Sequence, residues 1–176
     1  IWDKGTIMPL ESIKSESING VNTYDFTNIF SDDYKVYLIT LSGLDHNQSR
    51  QAINTRVIGS SGVKTGTNYK YANHILRHDI DYQDDYSSGN NGWIRTLADG
   101  YGYGSGNFMY IFNPFDSSQH TYMTNQFSSY YDTTGGVYGA KSFGVYAVAE
   151  SITGLNIYDN GSLTLYSGTI SAYGVK

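Results

Sequence analysis

Cysteine is absent from the 176 residues. That one absence removes disulfides, thiolate metal sites and a cysteine nucleophile, and it leaves the redox compartment open. Proline occurs only twice. Charge is scarce as well: 15% of residues are charged, against about 25% in ordinary domains. Neutral polar groups must therefore wet the surface. The net charge of −5 opposes a broad phosphate-binding surface, so no nucleic-acid partner is expected. No apolar run approaches the roughly 18 residues of a membrane span, and no membrane insertion is expected. The opening Ile1-Trp2-Asp3-Lys4 is not a signal peptide.

What the chain has in abundance is tyrosine and glycine, 18 and 20 residues respectively. So many aromatics argue against disorder, and the length suits one domain. Tyr34-Lys35-Val36-Tyr37-Leu38-Ile39-Thr40-Leu41 is dense in β-branched and aromatic residues on both faces, which predicts a central strand. Residues 51–58 alternate, with Ile53, Thr55 and Val57 on one face and Asn54, Arg56 and Ile58 on the other. Further strands are predicted over 68–77, 92–98, 107–112, 121–127, 140–149, 153–158, 162–166 and 168–175. Asn19-Gly20, Asn91-Gly92 and Asn160-Gly161 carry the signal of type I′ hairpins. Asn113-Pro114 lacks an amide donor, so a strand ends there or lies at an edge. No segment shows a sustained helical period. The expected fold is an all-β, jelly-roll-like antiparallel sandwich of about nine or ten strands. The sandwich is expected over 23–176. Residues 1–22 read as an N-terminal arm or linker, with an ordinary first strand as the alternative. The chain starts on isoleucine rather than methionine, so a segment of a longer chain or a processed product is expected.

Candidate chemistry is sparse. The stretch from His74 to Tyr86 gathers His74, His78, Asp79, Asp81, Asp84 and Asp85. Such a set could hold a transition metal. It fails as a calcium loop, because Asp84 stands where the turn needs glycine and Asn90 where a bidentate glutamate belongs. A solvated strand end with an acidic loop is the alternative, and no metal or other cofactor is expected. Gly100-Tyr101-Gly102-Tyr103-Gly104-Ser105-Gly106 looks like a phosphate cradle, but a strand follows it and no helix N-terminus presents amides to an anion. The only glutamates are Glu11, Glu16 and Glu150, with the first two in the arm and the third closing a strand as a solvated terminus. That is a poor supply for glycoside hydrolysis. No Gly-x-Ser-x-Gly elbow occurs. No catalytic residue is assigned and a non-enzyme is expected. Asn47-Gln48-Ser49 and Asn160-Gly161-Ser162 match a glycosylation sequon that is common by chance.

The tyrosines are the remaining candidates. Tyr82, Tyr86, Tyr101, Tyr103, Tyr130, Tyr131 and Tyr138 sit in loop-like stretches beside Gly, Ser or Asp. A tyrosine offers a broad apolar face, a hydroxyl and few rotamers to freeze, which suits contact surfaces and sugar stacking. Either these side chains form a contact surface, or they pack over strand ends and line a subunit interface.

Several motifs together resemble structural proteins of tailed bacteriophages, a group common in marine and cyanobacterial phages. They are the aromatic lead Tyr24-Asp25-Phe26-Thr27-Asn28-Ile29-Phe30-Ser31-Asp32-Asp33-Tyr34, the Arg-bearing strand and turn Ile53–Gly62, Asn68-Tyr69-Lys70-Tyr71, Ile111-Phe112-Asn113-Pro114-Phe115, and Gly154–Tyr158 through Gly168–Val175. The resemblance implies a β-sandwich subunit of a tail fibre, appendage or capsid surface, with no catalytic residue to carry over. It also implies a place on the virion surface and a role in host adhesion or particle stabilisation. By analogy with fibres and decorations, a homotrimer is expected, attached to other virion proteins through the arm and touching a host-surface glycan. The rival expectation is a carbohydrate-binding module of a secreted bacterial protein. A small sandwich enzyme is a third, and it requires His74, His78 and Asp79 around one buried pocket.

Overall fold

A computed structural model of the chain describes residues 9–46, 53–78, 83–97, 103–131, 136–159 and 164–176. Among them lie thirteen strands and no helix: β1 (Leu10–Val21), β2 (Thr23–Phe26), β3 (Val36–His46), β4 (Ile53–Gly59), β5 (Gly62–Val63), β6 (Tyr69–Arg77), β7 (Gln83–Asn90), β8 (Trp93–Leu97), β9 (Ser105–Phe112), β10 (Thr121–Tyr131), β11 (Gly136–Tyr146), β12 (Ile152–Tyr158) and β13 (Leu165–Val175). They form two antiparallel sheets. The larger runs β1-β13-β3-β9-β10-β11-β6-β7, and the smaller runs β2-β12-β4-β5 with β8 also paired to β4. The fold is an all-β sandwich, with an early chain that alternates between sheets and a β9-β10-β11 meander inside the larger one.

Thirteen strands replace the expected nine or ten for identifiable reasons. The two C-terminal runs are one strand, β13, bent by register shifts around Ser167. Four further strands are short or polar: β1, β2, β5 and β7. Leu10–Val21, read as an arm, is the edge strand of the larger sheet and pairs with β13 along its length. It was illegible because Lys14 and Glu16 interrupt its apolar positions, and the two bond each other at 2.9 Å. Only Ile18 of that strand is fully buried. The sandwich therefore begins well before residue 23.

The Asn-Gly pairs do not make hairpins. Asn19-Gly20 leads from β1 into β2, and Asn91-Gly92 from β7 into β8, each a passage between the two sheets. Gly92 is needed for close approach: a β-carbon there would collide with the Tyr158 hydroxyl and the Thr55 carbonyl. The third pair, Asn160-Gly161, lies outside the described residues, as do both sequons. At Asn113-Pro114 the strand β9 does end.

The main core lies between the sheets. Tyr37, Ile39 and Leu41 of β3 meet Ile53 and Val57 of β4 and Leu155 and Ile157 of β12, all buried in one cluster. Ile53, Thr55 and Val57 share the inner face as the alternation predicts. Strand β8 lies over the inner face of the larger sheet. One edge pairs with β4. Its other carbonyls are met by side chains: Asn73 Nδ2 donates to Ile94 O at 2.9 Å, and Asn125 Nδ2 donates to Thr96 O. Amide side chains thus stand in for a missing strand, which explains buried asparagines on an inner face.

Candidate functional site

The outer face of the eight-stranded sheet is open. In an antiparallel ladder, directly opposed residues point to the same side, so the registers fix what this face displays. One row crosses the whole sheet: Ser12–Tyr173–Leu38–Tyr110–Thr124–Phe143–Ala72–Tyr86, from β1 to β7. A second row, Ser171–Thr40–Phe108–Gln126–Lys141–His74–Asp84, runs beside it on one side. On the other side lie Val36–Phe112–Tyr122–Val145–Lys70.

The apolar side chains here are not tucked away. Tyr86 is 79% exposed and Phe143 59%. Phe108, Tyr122, Tyr130, Leu76, Val137 and Leu10 are exposed too, all at positions the registers assign to this face. Isolated exposed apolar residues are ordinary, but a contiguous set marks a contact surface. At the β6–β7 end the face dips into a groove of about 330 Å³ lined by Ala72, Asn73, His74, Asp84, Asp85, Tyr86 and Phe143. There His74 Nδ1 and Asp84 Oδ1 lie 2.8 Å apart.

The seven candidate tyrosines separate. Tyr86 stands on β7, not in a loop, and ends the aromatic row. Tyr103 and Tyr130 meet edge to face with ring centroids 5.3 Å apart, at the β9–β10 end of the sheet. Tyr138 is no surface contact: it points inward and packs on Phe127 at 5.3 Å, beside the small second core of Ile75 and Ala140. Tyr131 belongs to strand β10. Tyr82 and Tyr101 lie outside the described residues. Sequence reasoning missed Phe108, Tyr110, Tyr122, Phe143 and Tyr173. The available signal was the alternation Phe108-x-Tyr110-x-Phe112 inside a strand already recognised.

The polar clusters resolve into structure. Asp84 and Asp85 lie on strand β7 rather than in an acidic loop. Asp79 and Asp81 fall outside the described residues. His74 is exposed on the open sheet face and His78 follows the end of β6, so these two do not enclose a buried pocket. Among the described residues no three His, Asp or Glu side chains come together as a metal set. Each glutamate holds a lysine: Glu11 with Lys176 at 2.5 Å, Glu16 with Lys14 at 2.9 Å, and Glu150 with Lys64 at 2.6 Å. Glu150 is thus no solvated terminus. Burial works to raise its carboxyl, but hydrogen bonds from Lys64 and Tyr146, with the lysine charge, outweigh it and hold the group below the ordinary range.

No family model matches the chain, and no curated protein matches it. Among solved structures it is similar to an endo-β-1,4-glucuronan lyase from the fungus Trichoderma reesei. The identity is 9%, covering 99% of this chain and 90% of that one, with a TM-score of 0.35. A likeness of that size carries no weight for fold or function.

Proposed function

We propose that the chain is a non-catalytic structural subunit exposed on a bacteriophage particle, acting in host adhesion or in stabilising the particle. The sequence resemblance supplies the setting. The observation that carries the role is the open face of the larger sheet, where aromatic side chains stand exposed across neighbouring strands. Exposing an aromatic ring forgoes about 1.5–3 kcal/mol of burial, so a fold keeps such a face where something docks on it. Tyr86 and the Tyr103–Tyr130 pair belong to this reading; Tyr138, packed inward, does not. A homotrimer attached through its N-terminal residues is the assembly proposed with it.

The test is location. An antiserum raised against the chain should label the particle in electron micrographs, and the purified chain should compete with particles for host cells. A particle left unlabelled by a serum that recognises the purified chain refutes the reading. Sedimentation equilibrium at micromolar concentration tests the trimer, which a monomer excludes.

A further inference from the structure

We propose that the open face of the larger sheet binds an extended acidic polysaccharide, laid across the strands over Tyr86, Phe143, Tyr110 and Tyr173. The proposal rests on the adhesive reading above and names the chemistry of the partner.

Spacing is the first argument. Along the row, aromatic residues fall on every second strand: Tyr86 on β7, Phe143 on β11, Tyr110 on β9 and Tyr173 on β13. Between them stand Ala72, Thr124 and Leu38. Neighbouring strands lie about 4.7–4.9 Å apart, so the rings repeat at roughly 9.5 Å. That matches the length of a disaccharide unit in an extended β-linked chain, so alternate sugars each meet a ring. Small side chains at Ala72 and Thr124 leave the rings on either side of them standing clear, as a flat ribbon of sugars requires. A protein partner would instead need knobs to fill those gaps.

The second argument is charge. The protein carries net −5, yet the registers place two lysines on this face that have no ion-pair partner among the described residues. Lys70 lies two residues from Ala72 on β6, and Lys141 two residues from Phe143 on β11. Because those strands are antiparallel, the lysines flank the row on opposite sides, each about 7 Å along its strand. The carboxylate at this end, Asp84, is held by His74 at 2.8 Å. A carboxylated sugar over Phe143 therefore meets a cation on either side. Gln126, beside Lys141 in the neighbouring row, adds an amide that both donates to and accepts from hydroxyls.

The test is native electrophoresis of the whole chain through gels holding a dissolved polymer. Carboxymethylcellulose, alginate and polygalacturonate are the acidic probes, and hydroxyethylcellulose is the neutral one. The acidic polymers should retard the wild type more than the neutral one does, with retardation weakening in salt. Phe143→Ala and Tyr86→Ala should each weaken binding about tenfold, the loss of one stacked ring. Both sites are exposed, so thermal unfolding of the variants should match wild type. Lys141→Gln should abolish the preference for acid, whereas Lys35→Gln, off this face, should not. No retardation by any acidic polymer overturns the proposal. So does retardation indifferent to both aromatic substitutions, or self-association that Phe143→Ala abolishes in a chain no polymer retards. An unlabelled particle with retardation intact sinks the virion reading alone; a labelled particle without retardation sinks this inference alone.

Discussion

Replacing Tyr69 with phenylalanine should remove about 3 kcal/mol of stability while changing almost nothing in the shape of the core. Tyr69 is fully buried on the inner face of β6. Its ring meets Trp93 with centroids 5.5 Å apart and Tyr146 at 4.9 Å, contacts that phenylalanine keeps. What phenylalanine lacks is the hydroxyl, which accepts the Val57 amide at 3.0 Å and donates to the Lys64 carbonyl at 2.8 Å. One oxygen of the larger sheet thus satisfies two backbone groups of the smaller sheet and its following turn. Each buried group left without a partner costs about 1–3 kcal/mol, and the carbonyl, nearer solvent, falls at the low end. For a domain of this length, each kcal/mol moves the melting midpoint by roughly 2–4 °C, giving a fall of about 6–12 °C. The chain has two tryptophans. In a Trp2→Phe background, Trp93 emission reports urea unfolding from within the affected core. Tyr86→Phe is the control, and as an exposed substitution it should stay within about 0.5 kcal/mol. If Tyr69→Phe also stays within that range, the hydroxyl does not bridge the sheets and the reasoning fails.

Two further outcomes follow from the same geometry. Glu150, held below its ordinary range by Lys64 and Tyr146, contributes stability that is complete above about pH 4.3, the unfolded glutamate value, and is lost as pH falls through its folded value. Urea midpoints between pH 3 and pH 7 should therefore show a shallower acid limb in Glu150→Gln, with lower stability at pH 7; identical limbs in the two proteins refute the assignment. Gly154→Ala should destabilise severely, because the new β-carbon would sit 2.5 Å from the Phe26 carbonyl and 3.0 Å from the Thr27 Cα, both backbone that cannot swing aside. Circular dichroism melts unchanged from wild type would show that β2 is not seated against β12 as described.

The sequence carried the class of the fold well because period-two patterning survives wherever one face is dry. Strands β3, β4, β6, β9, β10 and β12 were all readable on that ground. It failed at the edges. Strand β7, Gln-Asp-Asp-Tyr-Ser-Ser-Gly-Asn, has no buried residue and is held by backbone pairing to β6 alone. Polarity of that kind is how an exposed edge avoids pairing with other chains, and it also erases the alternation that would announce a strand. The glycine turns misled for a related reason. Asn-Gly marks a tight reversal in sequence, but whether the chain returns to the same sheet depends on what each flanking strand packs against.

The candidate site was missed because aromatic residues point outward where patterning sends them in. In β9, Phe108, Tyr110 and Phe112 lie on the open face, while Asn107, Met109 and Ile111 face the interior. In β10 the outer positions include Tyr122 and Tyr130, and the inner ones include Asn125 and Ser129. Hydrophobicity alone would have turned both strands over, and a one-residue slip in register would do it. They are held by what the inner polar groups do: Asn125 and Asn73 receive the free edge of β8, a task no apolar side chain performs. The inner face therefore needs its asparagines, but nothing in the folding of one chain needs phenylalanine at 143 or tyrosine at 86. A residue that gains no burial at home is explained by burial elsewhere, and that difference is why the open face, rather than the loop tyrosines, is the place to look for the partner.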